Sequence, residues 1–451
     1  MSNNNNDTLI LGLLRGDEGK GKITDYFADK HDMVIRFQGG PNAGHTIYKD
    51  EKKLVLHQLP SGILHGDRTI NLIGHGTIID VTKLIIEIGN VVSTFNTSLS
   101  NIQLKIAKGC HVITKQHIID DINRENSGKG NGSTKCGISP CYRDKYYREG
   151  VRLVDWWKED NINEVKQLIL QDDNISISEN DLNQIIHFIE INMVDDTYEL
   201  NYNWKNRTKL FEGAQGVFLD IDNPYYPNVS SSSVSVGGLM TGTGIALKNL
   251  KDLKVVGIVK SYMSSVGVGF FPTEIKDKLE WEYKGKKYSI TADRIREVGQ
   301  EYGATTGRPR KVGILDLPMV KHAVDTIGVD SICLTRLDTL QEIFPYNEYP
   351  VFPVCTGYGI KGEDGSITNL TDANNNVSWY DVLANSDKIV PVYTLMNNWL
   401  DKNYTYGAAM DLIKFINNFV GVDVEFASTG KNKSDIQAFV MMYDKKNKEK
   451  W

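Results

Sequence analysis

Residues 8–28 restrict this chain to one kind of architecture before anything else is considered. The apolar run from Thr8 to Leu11 reads as a buried strand, and Ile23, Tyr26 and Phe27 recur at the spacing of one helical face. Between them lies Gly12-Leu13-Leu14-Arg15-Gly16-Asp17-Glu18-Gly19-Lys20-Gly21-Lys22. A strand, a glycine-rich turn and a helix in that order present backbone N–H groups and the positive end of the helix to an anion. Gly16 to Lys22 also fits the G-x-x-x-x-G-K spacing of a phosphate-binding loop, but Ile23 stands where that loop needs a Ser or Thr to hold Mg²⁺. A nucleotide's metal bound here would need its protein ligand from elsewhere, and Asp17 inside the loop is the candidate. Such turns also serve plain packing. The carboxylates of Asp17 and Glu18 beside Lys20 and Lys22 favour chemistry.

Strand-like runs follow at 33–38, 54–59, 70–73, 104–107, 254–260, 331–335 and 423–427. Helical spacing recurs at 83–88, 162–170, 317–324 and 406–419. Alternation over the whole length predicts one large α/β domain, 1–451, with a mainly parallel central sheet flanked by helices. The Asn- and Asp-rich stretch 171–209, with one amphipathic patch at 182–189, could form a peripheral subdomain. A net charge of −6 gives no general attraction to nucleic acid or anionic membrane, and no apolar run approaches membrane-spanning length. The five cysteines form no metal-binding spacing and predict reduced thiols. With a polar N-terminus lacking the build of a signal peptide, they predict a cytoplasmic protein.

A second glycine-rich loop, Gly39-Gly40-Pro41-Asn42-Ala43-Gly44-His45-Thr46, follows the second strand-like run. Read together, the two loops resemble the signatures of the adenylosuccinate synthetase family, GTP-dependent ligases that join inosine monophosphate (IMP) and L-aspartate. The resemblance continues in order through Gly132–Thr134 with Gly137–Tyr142, then Phe211–Gly216, Val266–Glu274, Gly303–Arg310, Leu334–Asp338 and Ser428–Gly430. One such motif is weak; this many in one order are strong. The resemblance implies a two-step reaction, in which GTP phosphorylates O6 of IMP and the amine of aspartate then displaces the phosphate.

By that resemblance Asp17 is the base that takes the purine N1 proton and also the Mg²⁺ ligand, with the Gly44 carbonyl as a second metal contact. His45 is the acid against the transferring phosphate, and Lys145 and Gln215 complete the catalytic set. IMP is expected to meet Asp17, Lys20, Asn42, His45, Thr134, Arg148, Gln215, Ser230, Val266 and Arg308. Arg148 is expected to reach into a neighbouring subunit's site, which implies a homodimer. GTP is expected to meet Gly16, Glu18, Gly19, Lys20, Gly21, Lys22, Gly44, Thr46, Arg310, Arg336, Asp338, Ser428 and Gly430. A carboxylate at Asp338 would select guanine by accepting from its N1–H and 2-amino groups. Aspartate is expected at Ala304, Thr305, Thr306, Arg308 and Arg310.

The chain departs from the family pattern at several of these places. Arg15 stands where an aromatic residue is usual, Ser265 and Cys136 each replace an arginine, and Arg336 replaces a lysine. Ser230 replaces a threonine, and Lys431-Asn432-Lys433 replaces a proline-containing signature. Two other readings compete. The first is a ligase of the same fold acting on a 2-amino purine such as deoxyguanylate, against which Asp17 speaks because a 2-amino group would crowd it. The second is a guanine-nucleotide-binding regulator without ligase activity, against which the missing hydroxyl after Lys22 and the arginine-rich 303–311 loop speak.

Overall fold

The computed structural model describes residues 6–128, 130–303, 307–399 and 409–438. Its frame is a ten-stranded sheet ordered Ile436–Ala438, Val424–Ser428, Ser331–Thr335, Lys254–Lys260, Thr8–Gly12, Lys209–Gly216, Met33–Arg36, Ile70–Ile73, Leu104–Ala107, Met193–Val194. All neighbours run parallel except the pair Val424–Ser428 and Ile436–Ala438. The expected α/β domain with a mainly parallel sheet is therefore what the chain forms. Strands covered by helices on both faces need no polar alternation, and Thr8–Gly12, Met33–Arg36 and Ser331–Thr335 are buried along their whole length.

The path through the sheet creates the site. After Thr8–Gly12 the chain leaves one place empty, lays down Met33–Arg36 and works outward to Met193–Val194. It then returns to fill the gap with Lys209–Gly216 and crosses to the other side of Thr8–Gly12 with Lys254–Lys260. Asp7 pins this arrangement: its carboxylate accepts from the backbone N–H of Lys209 at 2.7 Å and of Lys251 at 2.8 Å. Connections diverge on either side of Thr8–Gly12, and such divergence opens a crevice at the carboxyl ends of the strands.

The helix Lys20–Ala28 buries Ile23 and Phe27 against Ile10, Val34, Leu210 and Val256, which ties the first loop to the central strands. The helix Glu179–Ile191 packs Leu182, Ile185 and Ile189 into the same core as Leu84 and Ile88 of the helix Val81–Phe95. Within the 171–209 stretch, Met193–Val194 forms the last strand of the main sheet. That stretch therefore shares the core of the domain.

Some local expectations shift. His45 and Thr46, expected in a loop, open the strand His45–Lys49, which pairs antiparallel with Lys52–Leu56. The helix expected at 406–419 is Met410–Val420, and 406–408 lie outside the described residues. Two antiparallel units were not legible: the hairpin Lys278–Tyr283 with Lys286–Thr291, and a sheet of Val351–Lys361, Ile367–Asn369 and Ile389–Asn397. Among the described residues no helix is long and apolar enough to cross a membrane.

Candidate active site

A cleft of about 520 Å³ opens at the carboxyl ends of the central strands. Of the residues expected in the site, Gly16, Asp17, Gly19, Lys20, Gly21, Asn42, Gly44, His45, Thr46, Thr134, Gln215, Ser230, Val266, Arg310 and Arg336 line it. The first loop is held by its own Glu18. That carboxylate is 1 % exposed and accepts from the Gly16 N–H at 2.8 Å, the Leu14 N–H at 3.2 Å and Lys20 Nζ at 2.6 Å. Glu18, expected to contact GTP, thus has its side chain turned inward, leaving only its backbone for a ligand. Thr335 Oγ1 donates to the Glu18 carbonyl at 2.7 Å and ties the loop to the end of Ser331–Thr335, two strands away from Thr8–Gly12. Asp17 is left at a φ of 60°, a left-handed conformation that aspartate tolerates better than most residues. Its carboxylate meets Arg310 Nη2 at 2.9 Å.

The two glycine-rich loops touch at Gly21, where a Cβ would fall 2.7 Å from the Cβ of His45. Glycine there lets the imidazole sit directly over the start of the first helix. His45 Nδ1 lies 2.5 Å from Glu212 Oε1, and a carboxylate only accepts, so the proton is on Nδ1 and Nε2 is left for the cleft. Glu212 also accepts the Ser61 N–H at 2.8 Å and its hydroxyl at 2.5 Å. Burial alone would raise the Glu212 pKa, but His45 and the wholly buried Arg36 outweigh it and hold the carboxyl below its usual range. Burial lowers the pKa of His45 although Glu212 opposes it, so the resting imidazole is neutral. Glu212 was within reach of sequence reasoning: it lies in the Phe211–Gly216 motif, but only its distance to His45 gives it a role.

The remaining walls come from distant segments. Gln215, at a φ of 58°, donates from Nε2 to Asn42 Oδ1 at 3.2 Å. Tyr142, on the helix Ile138–Tyr147, props the second loop: its hydroxyl accepts from the Gly39 N–H at 3.0 Å and has its one hydrogen to give to either the Gly76 carbonyl at 3.0 Å or the Gly39 carbonyl at 3.2 Å. Arg310 bridges Asp17 and the buried Glu301, meeting Glu301 Oε2 at 2.9 Å. Burial would raise the pKa of Glu301, yet Lys260 and Arg310 pull it down to about 2. This carboxylate, absent from the motif reading, fixes the arginine that faces Asp17.

A second group gathers beside the cleft without lining it. Lys22 Nζ donates to Ser428 Oγ and, at 2.6 Å, to the Gly430 carbonyl. Asp338 stands in the first turn of the helix Leu337–Ile343, and its Oδ1 is buried with no partner among the described residues. Lys22, Asp338, Ser428 and Gly430 were expected together on one nucleotide, and the structure brings Lys22, Ser428 and Gly430 into contact.

Beyond Glu18 and that second group, Lys145, Arg148 and Arg308 also do not line the cleft. The helix Ile138–Tyr147 reaches the cleft with Ile138 and Ser139, which leaves Lys145 near its other end, its Nζ 5.6 Å from the Tyr142 ring centre. The expected catalytic contact of Lys145 is therefore not formed within the chain. Arg148 caps the same helix at a φ of 71° and is exposed. Arg308 is exposed at the edge of the 303–311 loop, its Nη1 3.8 Å from the place a Cβ on Gly132 would occupy. Ala304, Thr305 and Thr306 lie outside the described residues.

For a metal, the cleft offers the Asp17 carboxylate and the Gly44 backbone. Among the described residues no cluster of three His, Cys, Asp or Glu could hold an ion alone. Such a sparse set of oxygen donors fits Mg²⁺, which keeps several waters and shares phosphate oxygens.

The family described as adenylosuccinate synthetase matches residues 9–437. Adenylosuccinate synthetase of Caldanaerobacter subterraneus subsp. tengcongensis is 36 % identical, covering 95 % of this chain and 98 % of its own length. The enzyme of Halothermothrix orenii is also 36 % identical, over 95 % of this chain and 97 % of its own. The fully ligated adenylosuccinate synthetase of Plasmodium falciparum superposes with a TM-score of 0.76 at 31 % identity, covering 96 % of this chain and all of that one. A cyanophage S-2L succinoaminodeoxyadenylate synthetase bound to dGMP and dATP shares the fold at a TM-score of 0.59 and 17 % identity, covering 96 % of this chain and 95 % of that one.

Proposed function

The chain belongs to the adenylosuccinate synthetase family and is therefore a GTP-dependent ligase joining IMP to L-aspartate in purine nucleotide biosynthesis, and we propose that the cleft around Asp17 and His45 is where it works. The carrying observation is the meeting of two glycine-rich loops at Gly21 and His45, which sets a carboxylate and an oriented imidazole over one phosphate-binding turn. In the first step Asp17 takes the N1 proton of IMP, and O6 attacks the γ-phosphorus of GTP, releasing GDP. Lys20 and the backbone N–H groups of the first loop meet the charge that develops. The arriving phosphate anion raises the pKa of His45, so Nε2 takes up a proton from solvent and the imidazolium then donates through Nε2 to the transferring group. In the second step the amine of aspartate attacks C6 and the phosphate leaves. Mg²⁺, held by Asp17 and the Gly44 carbonyl, would supply Lewis-acid charge at the transferring phosphate.

IMP is assigned to Asn42, Thr134, Gln215, Ser230 and Val266, with its ribose-phosphate on the side of Thr134, Ser230 and Val266. GTP is assigned to the first loop and to Lys22, Arg336, Asp338, Ser428 and Gly430. The unmet Asp338 Oδ1 supports guanine as the base, since guanine offers donors there. Aspartate is assigned to Ala304, Thr305, Thr306, Arg308 and Arg310. All five cysteines are unpaired, which supports a reducing, cytoplasmic setting.

The product assay is direct: with GTP, Mg²⁺ and aspartate the protein should make adenylosuccinate from IMP and turn over deoxyguanylate far more slowly. Preference for deoxyguanylate would overturn the assignment of the purine.

A homodimer is the proposed assembly. Arg148 is exposed beside Tyr146 and Tyr147, which are 73 % and 69 % exposed, and it does not line its own cleft. Arg148→Leu should weaken IMP binding. Mixed one to one with inactive Asp17→Asn, it should recover about a quarter of wild-type activity, because half of random dimers pair two intact contributions in one of their two sites. No recovery on mixing would remove Arg148 from the shared site.

A further inference from the structure

Arg15 stands directly before Gly16 and borders the cleft beside Ser230, Val266 and Gly267, yet its side chain is only 3 % exposed. Its Nε donates to Ser265 Oγ at 3.1 Å, and its guanidinium carbon lies 4.9 Å from the Tyr225 ring centre. Those contacts leave both terminal amino groups unused. Nη1 and Nη2 are buried and have no hydrogen-bond partner among the described residues. The carboxylate of Glu274, which acts on Arg15 electrostatically, is bonded instead to Lys311 at 3.0 Å.

Charged donors stripped of water and left unmet are costly, and a fold that keeps them commonly reserves them for a ligand. The neighbouring backbone makes room for this one. A Cβ on Gly269 would fall 2.4 Å from Nη2, so the guanidinium keeps its present position because that residue is glycine. Arg15 and Ser265 are also two positions where the chain departs from its family's pattern, an arginine gained at one and lost at the other.

We propose that Arg15 is a further IMP-binding residue, its terminal amino groups donating to an oxygen of the nucleotide's ribose-phosphate while Ser265 orients it. A planar fork of N–H donors suits a phosphate or a pair of ribose hydroxyls. The inference rests on the assignment of IMP's ribose-phosphate to the Ser230 and Val266 side of the cleft. A residue serving only as a prop between Tyr225 and the 265–269 segment would instead affect stability and leave IMP binding alone.

Calorimetric titration of the full chain with IMP, inosine and GTP tests it. Arg15→Met should weaken IMP binding at least tenfold and GTP binding far less, with Arg15→Lys intermediate because it keeps charge but loses the fork. Ser265→Ala should weaken IMP binding severalfold. If Arg15→Met weakens IMP but not inosine, the acceptor is a phosphate oxygen; if it weakens both, the acceptor is on the ribose. Either result supports the proposal. Wild-type IMP affinity in folded Arg15→Met, with Ser230→Ala weakened, overturns it and leaves the placement of IMP intact. If neither variant changes IMP affinity, that placement falls and the Arg15 proposal with it. Should Arg15→Met fail to fold, wild-type affinity in both Arg15→Lys and Ser265→Ala overturns the proposal.

Discussion

Asp17→Asn is expected to lower kcat by about 10³-fold or more while the protein still folds. Asparagine keeps the shape of the side chain and tolerates the left-handed backbone at a φ of 60°, so the loop geometry survives. What is lost is the charge that takes the purine proton and, by the assignment above, holds the metal. General base catalysis alone is worth about 10²- to 10⁴-fold, and removal of a metal ligand adds to it. Arg310 loses one partner but keeps Glu301 at 2.9 Å, so no buried charge is stranded. Steady-state turnover beside thermal unfolding checks this. A folded variant with near-normal kcat would remove Asp17 from the chemistry.

The second large effect is expected from a residue that no motif assigned. Glu212→Gln should reduce kcat by about 10²-fold, since it replaces an acceptor-only carboxylate with a neutral amide that can also donate to Nδ1, so the tautomer of His45 is no longer fixed and its imidazolium loses the opposite charge. The pH profile should move as well. An ionised Glu212 favours the charged imidazole, so without it burial acts on His45 unopposed and its pKa falls further. A general acid works only below its pKa, so the alkaline limb of kcat should shift to lower pH. Stability should drop too, because buried Arg36 loses one of the two carboxylates, Glu212 and Glu87, that offset its charge. The double variant with His45→Asn separates the roles. If Glu212 acts through His45, the double variant is no slower than His45→Asn alone. Independent, additive losses in kcat would mean that Glu212 does not act through His45.

The sequence carried the centre of the molecule better than its periphery, for physical reasons. Parallel strands buried on both faces are apolar runs, and 8–11, 254–260 and 331–335 announce themselves that way. The sheet of Val351–Lys361 and Ile389–Asn397 is hidden because Pro353 and Pro391 sit within its strands, and proline argues against a strand in any reading by pattern. The hairpin at Lys278–Tyr283 is polar and half exposed, so it lacks a buried face to signal it. At the site, residue types and order were legible because glycines and charges cluster in short motifs. Facing was not. Nothing in Glu18 shows that its carboxylate turns into its own loop, and nothing in Lys145 shows that its helix carries it away from the cleft. The unexplained Arg15 became intelligible only when a serine 250 positions away proved to be its partner.

The late arrival of Lys209–Gly216 in the gap beside Thr8–Gly12 has a consequence for how the chain is made. The first strand carries the loop on which the whole site depends, yet both of its sheet neighbours lie beyond residue 208. Asp7 and Lys209, which close that seam, are 202 positions apart. On a ribosome the segment bearing Asp17 therefore waits with both strand edges unsatisfied until Lys209–Gly216 has emerged, and with one still open until Lys254–Lys260 follows. Unpaired strand edges and long-range pairing are what make nascent chains slow and prone to aggregate. For this protein, the demand on chaperones falls on its first half, well before any nucleotide could bind.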